Sequence, residues 1–250
     1  MVLYLDVGNT ALKWRCYHDG TTMQGGGVHC RDWAEQIETL SGALPAAMPD
    51  RIVIGSVAGR DADALLREEV VAVLKREPEF YYSPQSWNGL VNSYDEPSRL
   101  GVDRWLAVVE AWHRSGAAII IDCGSAITLD VVGRDGRHGG GFIVPGMKML
   151  EQSLIGGTGS VRTESVGLRA FTPGVSTSEC VHNGILLMCV AFVTDAVVAL
   201  QNTLQDTCSI YMTGGDASAL QPYLTAQVDV VPDMVLDGLE RIFPQTDVRG

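Results

Sequence analysis

The residues near the start of the sequence that are best suited to chemistry are Asp6, Gly8 and Lys13. An apolar run delivers Asp6 to a turn of sequence GNT, after which an extended pattern resumes. A glycine turn lets backbone N–H groups approach a ligand closely, and the lysine adds one positive charge. We interpret this segment as a phosphate cradle with a carboxylate that faces a metal ion. An ordinary hairpin after an N-terminal strand is the alternative interpretation.

The same pattern recurs at Asp122 and Gly124, again directly after a continuous apolar run. The strands and helices that follow each copy come in a similar order, which predicts a duplicated α/β domain with two halves facing each other across a cleft. Two carboxylates at the mouth of a cleft repel unless a cation and a polyphosphate lie between them. The repetition therefore favours a nucleotide–metal site, and a chance recurrence of Asp-x-Gly at strand ends is the alternative.

Composition limits the classes of function. The chain has 250 residues, of which 46% are hydrophobic and 19% charged, as in an ordinary folded protein. Its net charge of -12 argues against general binding to nucleic acid or to an anionic membrane. The six cysteines show no C-x-x-C pair and no zinc-ligand spacing, and no basic and apolar leader is present. We therefore expect reduced thiols and a cytoplasmic location.

One apolar stretch, from Cys180 to Leu204, is long enough to be mistaken for a membrane span. Asp195 near its middle and the lack of basic flanking residues argue against that interpretation. We expect instead a helix that is buried on most sides and contributes to a subunit interface.

Hydrophobic periodicity and turn residues predict the elements that position these groups. Strands are predicted around 2–5, 11–14, 25–28, 51–57, 80–82, 117–122, 127–132, 141–144 and 209–212. Helices are predicted over 31–44, 61–76, 102–114 and 180–204 and directly after residue 146. A turn is expected at 18–20, a long functional loop at 83–98, and a mobile segment at 156–173.

Five motifs in this order resemble those of the type III pantothenate kinases, members of the acetate kinase, sugar kinase, heat-shock ATPase and actin superfamily. The motifs are DVGNT at 6–10 with Lys13, GVDR at 101–104, DCGSAIT at 122–128, GGFIVPG at 140–146 and TGGDA at 213–217. The resemblance covers nearly the whole chain. It implies an α/β fold of duplicated ribonuclease H-like halves, as in actin-like ATPases, that face a central cleft. The implied halves are residues 1–115 and 116–250.

The resemblance also implies how ATP is bound. The first motif would hold the ATP phosphates, and Asp6 would hold their Mg²⁺; no G-x-x-x-x-G-K-[ST] loop is present. The implied ATP-binding residues are Asp6, Val7, Gly8, Asn9, Thr10, Ala11, Leu12, Lys13 and Ser125. Ser125 stands where the family usually has threonine, so the hydroxyl is kept and a methyl group is lost. Asp122 resembles the family's ligand for a monovalent cation, K⁺ or NH₄⁺.

A second implied set binds pantothenate. Its members are Tyr94, Gly101, Val102, Asp103, Arg104 and Thr177. The resemblance makes Asp103 the general base toward the primary hydroxyl and brings Thr177 from the partner subunit of a homodimer. An arginine such as Arg104 suits a substrate that bears a carboxylate. Without the other motifs, the residues favour Asp103 as an ordinary helix N-terminal aspartate, and Thr177 also fits a helix N-cap, which does not exclude a substrate contact.

The implied function is ATP-dependent phosphorylation of pantothenate to 4′-phosphopantothenate, the first step of coenzyme A biosynthesis. Two alternatives stay open: another small-molecule kinase or nucleotide hydrolase of the superfamily, and a non-catalytic regulatory relative. Tyr94 and the Asp103-Arg104 pair disfavour the first, and the filled catalytic positions disfavour the second. The acidic balance also disfavours direct DNA binding.

Overall fold

A computed structural model describes residues 1–18, 20–28, 32–45, 47–159, 161–163, 170–204 and 207–245. These residues form two compact units. Unit 1 comprises Met1–Glu110 and the segment that begins at Met234, whereas unit 2 comprises Ala111–Asp233. The division into halves at residues 1–115 and 116–250, implied by the resemblance, stays a prediction. Parts of three expected elements lie outside the described residues: the turn at Asp19, the start of a helix at Arg31, and residues 160 and 164–169 of the segment expected to be mobile.

The described residues contain the predicted strands and helices in the predicted order, together with further short elements. The strands are β1 (Val2–Val7), β2 (Ala11–His18), β3 (Thr21–Val28), β4 (Arg51–Ser56), β5 (Glu79–Tyr81), β6 (Ser86–Trp87), β7 (Leu90–Val91), β8 (Ala118–Cys123), β9 (Ala126–Val132), β10 (His138–Pro145), β11 (Ser209–Thr213) and β12 (Asp229–Val230). The α-helices are α1 (Trp33–Ala43), α2 (Arg60–Leu74), α3 (Val102–Ser115), α4 (Met147–Gly157), α5 (Thr177–Leu204), α6 (Ala217–Leu220) and α7 (Met234–Ile242). Short 3₁₀ turns cover Pro97–Arg99 and Gln221–Tyr223.

The main sheets of the two units have the same strand order. It is β3-β2-β1-β4-β5 in unit 1 and β10-β9-β8-β11-β12 in unit 2. In each sheet the first three strands along the chain pair antiparallel as a meander, and the last two join in parallel. Parallel neighbours require crossover connections, which the helices supply. The repeated order confirms the predicted duplicated α/β architecture of ribonuclease H-like halves.

Alternation along β1 gives the sheet of unit 1 two different faces. Leu3, Leu5 and Val7 point to one side, where they pack with apolar residues of α1 and α2. Tyr4 and Asp6 therefore point to the opposite side. The apolar face also includes Leu12, Trp14, Cys16, Ile52 and Ile54 from the neighbouring strands.

Helix α7 packs on that opposite face of unit 1, although it follows the whole of unit 2 in the chain. Arg15 Nη1 on β2 donates to the carboxylates of Asp237 and Glu240 at 2.7 Å each. The buried Tyr4 hydroxyl donates to the Phe243 carbonyl at 2.7 Å. Because the Arg15 side chain is almost fully buried, two carboxylates that accept from it avoid the cost of an unpaired buried charge.

Helix α5 forms the centre of the unit 2 core. By length and composition it could cross a membrane. One of its faces nevertheless packs in that core against β8 and β9, through Ile185, Leu186, Cys189, Val190, Val193, Ala196, Val197 and Leu200. Its other face is exposed, so the expectation of burial on most sides holds for only one face within a single chain.

The segment 83–98, predicted to be a loop, contains a small hairpin. In the antiparallel pair of β6 and β7, Ser86 lies opposite Val91 and Trp87 lies opposite Leu90. Asn88 and Gly89 connect them with φ values of 45° and 91°. Two central residues with positive φ are typical of a type I′ turn, for which Asn-Gly is the strongest sequence signal. The dipeptide therefore carried the information that the loop prediction overlooked.

The Tyr4 hydroxyl gives a pH-dependent prediction for unit 1. Burial, with the nearby Glu240 carboxylate, raises the pKa of Tyr4 well above its ordinary value of 10.0. The neutral phenol therefore stabilises the fold fully below pH 10, and this contribution is lost at higher pH by about 1 kcal/mol per pH unit. We expect Tyr4→Phe to lower the free energy of unfolding by about 1 kcal/mol at pH 7, because one hydrogen bond is lost.

Urea unfolding of wild type and Tyr4→Phe at pH 7 and above pH 10 checks this expectation. The difference between the two proteins should shrink as pH rises, since the variant has no phenol at this position to ionise. A constant difference across the pH range would contradict the role given to Tyr4.

Candidate active site

The first hairpin, residues 6–13, lies at the carboxyl end of β1. Gly8 N–H donates to the Ala11 carbonyl at 3.0 Å, which leaves Asn9 and Thr10 as an exposed two-residue connection. The half-buried Asp6 is directly paired with Lys13 across the β1–β2 ladder. Residues paired in this way have neighbouring side chains on one face. The hairpin therefore places a carboxylate and an ammonium group beside each other at a strand end, and the neighbouring Val7 and Leu12 lie in the core on the other face.

Helix α3 begins against the same region of the sheet. Asp6 is paired with Gly55 of β4. A Cβ at Gly55 would lie 3.0 Å from Leu106 Cδ1 and 3.8 Å from Val102 Cγ1. The missing side chain thus lets the first turns of α3 pack directly on the sheet. Because paired residues share a face, Asp6 and the start of α3 lie on one face at the carboxyl ends of β1 and β4.

Asp103 stands in the first turn of α3. Its Oδ1 accepts from Arg104 N–H at 2.7 Å, and a Cβ at Gly101 would lie only 2.6 Å from that oxygen. Glycine is therefore needed at position 101 to leave room for the carboxylate. Gly101 also approaches Val57, whose N–H donates to the Val7 carbonyl at 3.0 Å. The GVDR motif and the first hairpin thus converge on the same strand ends.

Tyr94 and Arg104, both predicted to hold substrate, contact each other. Arg104 Nη1 donates to the Tyr94 hydroxyl at 3.0 Å, and its guanidinium carbon lies 6.0 Å from the centre of the tyrosine ring. Arg104 is almost fully buried, so its direction is fixed by the surrounding structure. A guanidinium that is fixed in direction suits the geometry of carboxylate recognition.

The second hairpin, residues 122–128, is the counterpart of the first in unit 2. Gly124 N–H donates to the Ala126 carbonyl at 3.0 Å, which leaves Ser125 alone at the tip. Asp122 is paired with Thr128 of β9 and with Thr213 of β11. The connection is one residue shorter than in the first hairpin, where two residues lie between the bonded pair.

Two further glycine motifs of unit 2 surround the second hairpin. Gly146 N–H donates to the Ser125 carbonyl at 2.9 Å. Gly214 has φ of 90°, and a Cβ there would lie 2.5 Å from Asp122 Oδ1 and from backbone atoms of Cys123. Asp216 N–H donates to the Cys123 carbonyl at 2.9 Å. Three of the five motifs are therefore assembled around Asp122 within unit 2.

Cys123 lies inside this assembly but is not available for reaction. Its side chain is fully buried in the unit 2 core. Burial, with the neighbouring Asp122 carboxylate, raises the pKa of the Cys123 thiol. A protonated thiol is a poor nucleophile, so we assign Cys123 to packing.

Thr177 is the first residue of α5. It is exposed and lines an open groove of about 1140 Å³ between α4 and α5, together with Cys180, Gly184 and Met188. The N-cap is Ser176, whose Oγ accepts from Glu179 N–H at 3.2 Å. The sequence Ser-x-x-Glu before an apolar run is the capping-box signal, and it identifies Ser176 rather than Thr177 as the cap.

A buried carboxylate that sequence reasoning missed braces the end of β4. Asp63 on α2 accepts from Ser56 Oγ at 2.5 Å and from the Tyr82 hydroxyl at 3.0 Å. Ser56 Oγ in turn accepts from Ala58 N–H at 3.2 Å. No local pattern marks Asp63, because its partners come from two other elements and an aspartate in a first helical turn is common on the surface.

The carboxylates fit cations held jointly with phosphate oxygens. Within the described parts of the chain, no three His, Cys, Asp or Glu side chains are grouped so as to hold a metal ion. Mg²⁺ in phosphotransferases is usually held by one or two carboxylates, with substrate phosphates and waters completing its shell. Asp6 supplies one such carboxylate at an open hairpin. A Cβ at Gly214 would lie 2.5 Å from Asp122 Oδ1 and also 2.5 Å from the Cys123 carbonyl oxygen, so these two oxygens are neighbours. Oxygen ligands of this kind are those that a hard cation prefers.

The repeated sheets and their strand-end hairpins define the class as an actin-like ATPase fold. Two solved structures have a similar fold. One is a Campylobacter jejuni protein described as a Baf-family transcriptional activator, with a TM-score of 0.58, 18% identity and 96% coverage of both chains. The other is an ethanolamine utilization protein from Carboxydothermus hydrogenoformans, with a TM-score of 0.53, 14% identity and coverage of 95% and 87%. At these identities the likeness concerns the fold alone.

Sequence comparison gives the family. The family model described as type III pantothenate kinase matches residues 2–199. A type III pantothenate kinase of Alcanivorax borkumensis is 49% identical over 97% of this chain and 98% of its own length. The corresponding protein of Marinobacter nauticus is 40% identical, with coverage of 97% and 98%. The chain therefore belongs to the type III pantothenate kinase family.

This membership confirms the predicted resemblance and settles the class of activity. The family consists of kinases that act in coenzyme A biosynthesis, so the chain is an enzyme and ATP is its phosphoryl donor. The enzyme interpretation holds, and the non-catalytic regulatory alternative does not.

The close packing at Gly214 gives a prediction with an adjacent control. We expect Gly214→Ala to lower the free energy of unfolding by about 2 kcal/mol or more, because the methyl group would overlap Asp122 and the backbone, and φ is positive. For a chain of this size, that loss corresponds to a fall in Tm of about 4–8 °C.

Gly215→Ala is the matched control, since a Cβ at Gly215 meets nothing within 4 Å. Its Tm should stay within about 2 °C of wild type, as for most surface substitutions. Equal melting of the two variants in a thermal scan would contradict the close approach of Gly214 to the second hairpin.

Proposed function

We propose that this chain transfers the γ-phosphoryl group of ATP to the primary hydroxyl of pantothenate and forms 4′-phosphopantothenate. The main support is the geometry of unit 1. Asp103 lies in the first turn of α3, which packs on the sheet face that carries Asp6, and the neighbouring Arg104 bonds to Tyr94. A proton acceptor and a cationic grip for a carboxylate thus lie beside a hairpin suited to phosphates.

The first hairpin would hold the ATP phosphates. Phosphoryl transfer depends mostly on positioning and on neutralising charge. The N–H groups around Gly8, the polar Asn9 and Thr10, and the Lys13 ammonium supply donors and positive charge. Asp6 would hold Mg²⁺, which when bound neutralises charge on the phosphate oxygens.

Asp103 would act as the general base. Its carboxylate takes the proton of the pantothenate hydroxyl as that oxygen forms a bond to the γ-phosphorus. The bond from the γ-phosphorus to the bridging oxygen breaks at the same time, and ADP leaves with that electron pair. Gly101 leaves the space in which the Asp103 carboxylate lies.

Tyr94, Arg104 and the backbone of Gly101 and Val102 would hold the rest of pantothenate. The buried Arg104 guanidinium suits the substrate carboxylate, and its bond to Tyr94 limits its motion. In unit 2, Asp122 would hold a monovalent cation, K⁺ or NH₄⁺, and Ser125 would contact ATP. We place the enzyme in the cytoplasm; in the described part of the chain the five cysteines form no disulfide, which is in keeping with that location.

We further propose that the enzyme is a homodimer whose interface includes the exposed face of α5. Its exposed residues recur at helical spacing: Thr177, Cys180, Gly184, Leu187, Met188, Ala191, Asp195 and Val198. Phe142 and Ile143 of β10 are also exposed, and Phe142 contacts Phe192 of α5. An apolar surface of this kind is typical of a subunit interface. Thr177, at the start of the stripe, would reach the substrate of the partner.

Substitution of Asp103 tests the proposed chemistry. We expect Asp103→Asn to lower kcat by about 10²- to 10⁴-fold, the usual range for loss of a general base. Asparagine keeps an oxygen that can accept from Arg104 N–H, so the first turn of α3 should keep its structure. The measurement is ATP-dependent phosphorylation of pantothenate, with and without K⁺.

Asp61→Asn, at an exposed carboxylate of α2, is the matched control and should turn over normally. An inactive wild type in both ionic conditions would refute the proposed reaction. Normal turnover by Asp103→Asn would refute only the base assignment. In Asp6→Asn, lost activity with pantothenate binding retained would support the separate roles for ATP and substrate.

A charge on α5 tests the dimer. We expect Leu187→Glu to convert the protein to monomers, because burying an unpaired carboxylate in an interface is costly. Activity should fall together with the molar mass, because Thr177 would no longer reach the substrate in a partner subunit. The measurement is molar mass by light scattering after size exclusion, with activity on the same fractions.

Leu65→Glu on α2 is the control, because Leu65 is 56% exposed and Leu187 is 51% exposed. Leu65→Glu should keep the wild-type mass. A wild type that runs as a monomer, or a Leu187→Glu variant of unchanged mass, would overturn the proposed interface.

A further inference from the structure

The loop of residues 83–100, which carries Tyr94, has little regular structure to hold it. It contains a two-residue ladder and one 3₁₀ turn, Pro97–Arg99. Loop residues that bind a substrate need fixed positions, because every freely rotating group costs free energy when it is ordered. Some interaction within the loop must therefore replace a longer sheet or helix.

The Asn92 side chain supplies that interaction. It is 1% exposed, and its Nδ2 donates to the Pro84 carbonyl at 3.2 Å and to the Pro97 carbonyl at 3.1 Å. Its Oδ1 accepts from Tyr94 N–H at 3.0 Å. Two donor hydrogens and one acceptor oxygen thus bind three separate points of the loop.

The Asn92 backbone joins the same network. Its N–H donates to the Gln85 carbonyl at 3.0 Å, and its carbonyl accepts from Gln85 Nε2 at 3.2 Å. The beginning of the loop, its middle and its return toward Leu100 are therefore tied through one residue. A buried amide with its hydrogens and oxygen bonded rigidifies its surroundings, and no aliphatic side chain could replace it.

The bonds of Asn92 lead directly to the proposed substrate grip. Tyr94, fixed through its N–H, accepts from Arg104 through its hydroxyl. The Pro97–Arg99 turn, fixed through its first carbonyl, is followed directly by Leu100 and Gly101. The position of Tyr94 and the position of the chain that leads to Gly101 thus depend on the same Asn92 amide group.

We propose that Asn92 is a positioning residue that sets the affinity for pantothenate by holding Tyr94 against Arg104. The proposal rests on the proposed function, because it assigns Asn92 to the acceptor side of that reaction. Asn92 touches neither the first hairpin nor Asp103 through any of these bonds, so its effect falls on pantothenate binding and not on ATP binding or on the proton transfer.

Asn92→Asp tests the proposal with almost no change in side-chain shape. A carboxylate keeps an acceptor for Tyr94 N–H but loses both donors and directs an oxygen at the Pro84 and Pro97 carbonyls. We expect KM for pantothenate to rise by about tenfold or more, since two buried carbonyls lose their partner. KM for ATP and kcat should stay within about threefold of wild type, because Asn92 positions only the pantothenate side, and a loss of uniform substrate binding raises KM without lowering kcat.

Asn88→Asp is the matched control, since it makes the same chemical change at an exposed position of the same loop. Asparagine and aspartate both tolerate the positive φ at this position. The control should leave all three kinetic constants unchanged. Asn92→Ala, which removes the bonds without adding charge, should raise KM for pantothenate in the same direction as Asn92→Asp.

A double-mutant cycle with Tyr94→Phe tests whether Asn92 acts through Tyr94. We expect the double variant to lose less pantothenate affinity than the product of the two single losses. Full additivity, an unchanged KM in Asn92→Asp and Asn92→Ala, or an equal rise in KM for ATP would overturn the positioning role. If wild type fails to phosphorylate pantothenate, the proposed function fails; an active wild type with an insensitive Asn92 refutes this inference alone.

Discussion

The close packing of α3 on the sheet at Gly55 is the contact on which the arrangement of unit 1 depends. A Cβ at this position would lie 3.0 Å from Leu106 Cδ1, closer than ordinary van der Waals contact, so a large side chain would not fit between β4 and the helix. With glycine there, the helix begins on the face that carries Asp6, and Asp103 follows one residue later. A further glycine at position 101 leaves space for the Asp103 carboxylate. Hydrogen bonds alone would not place the two carboxylates on one face, because the sheet ladder leaves the helix free to shift. Dense packing removes that freedom.

Much of the fold could be predicted because it rests on local signals. An apolar run that ends in aspartate and a glycine turn occurs twice, and each copy forms a hairpin at a strand end. The equal strand order of the two sheets then follows from the repeated order of elements. Capping and turn chemistry was also present in the sequence, at Ser176 and at the Asn88-Gly89 dipeptide, although the predictions passed over it. These are local rules, and they could have been applied.

Other features could not be predicted because their partners are distant in sequence. Nothing around Asn92 indicates that one amide bonds to residues on three sides of a loop. Asp63 likewise gives no local sign that hydroxyl groups from β4 and from residue 82 meet its carboxylate. The sequence of α5 is apolar nearly all round, which predicts burial but not which face the chain itself covers. In each case the missing information is tertiary packing, which overrides local pattern.

The place of α7 in the fold has a consequence for how the protein is made. Arg15, near the start of the chain, is buried against Asp237 and Glu240, which the ribosome adds only after the whole of unit 2. Until those residues emerge, only α3 can cover the sheet face on which α7 packs, and Arg15 lacks these two carboxylates. Domains usually fold in order of synthesis, at about 5–20 residues per second, so unit 2 has all its residues before unit 1 does. The unit that begins first is therefore completed last.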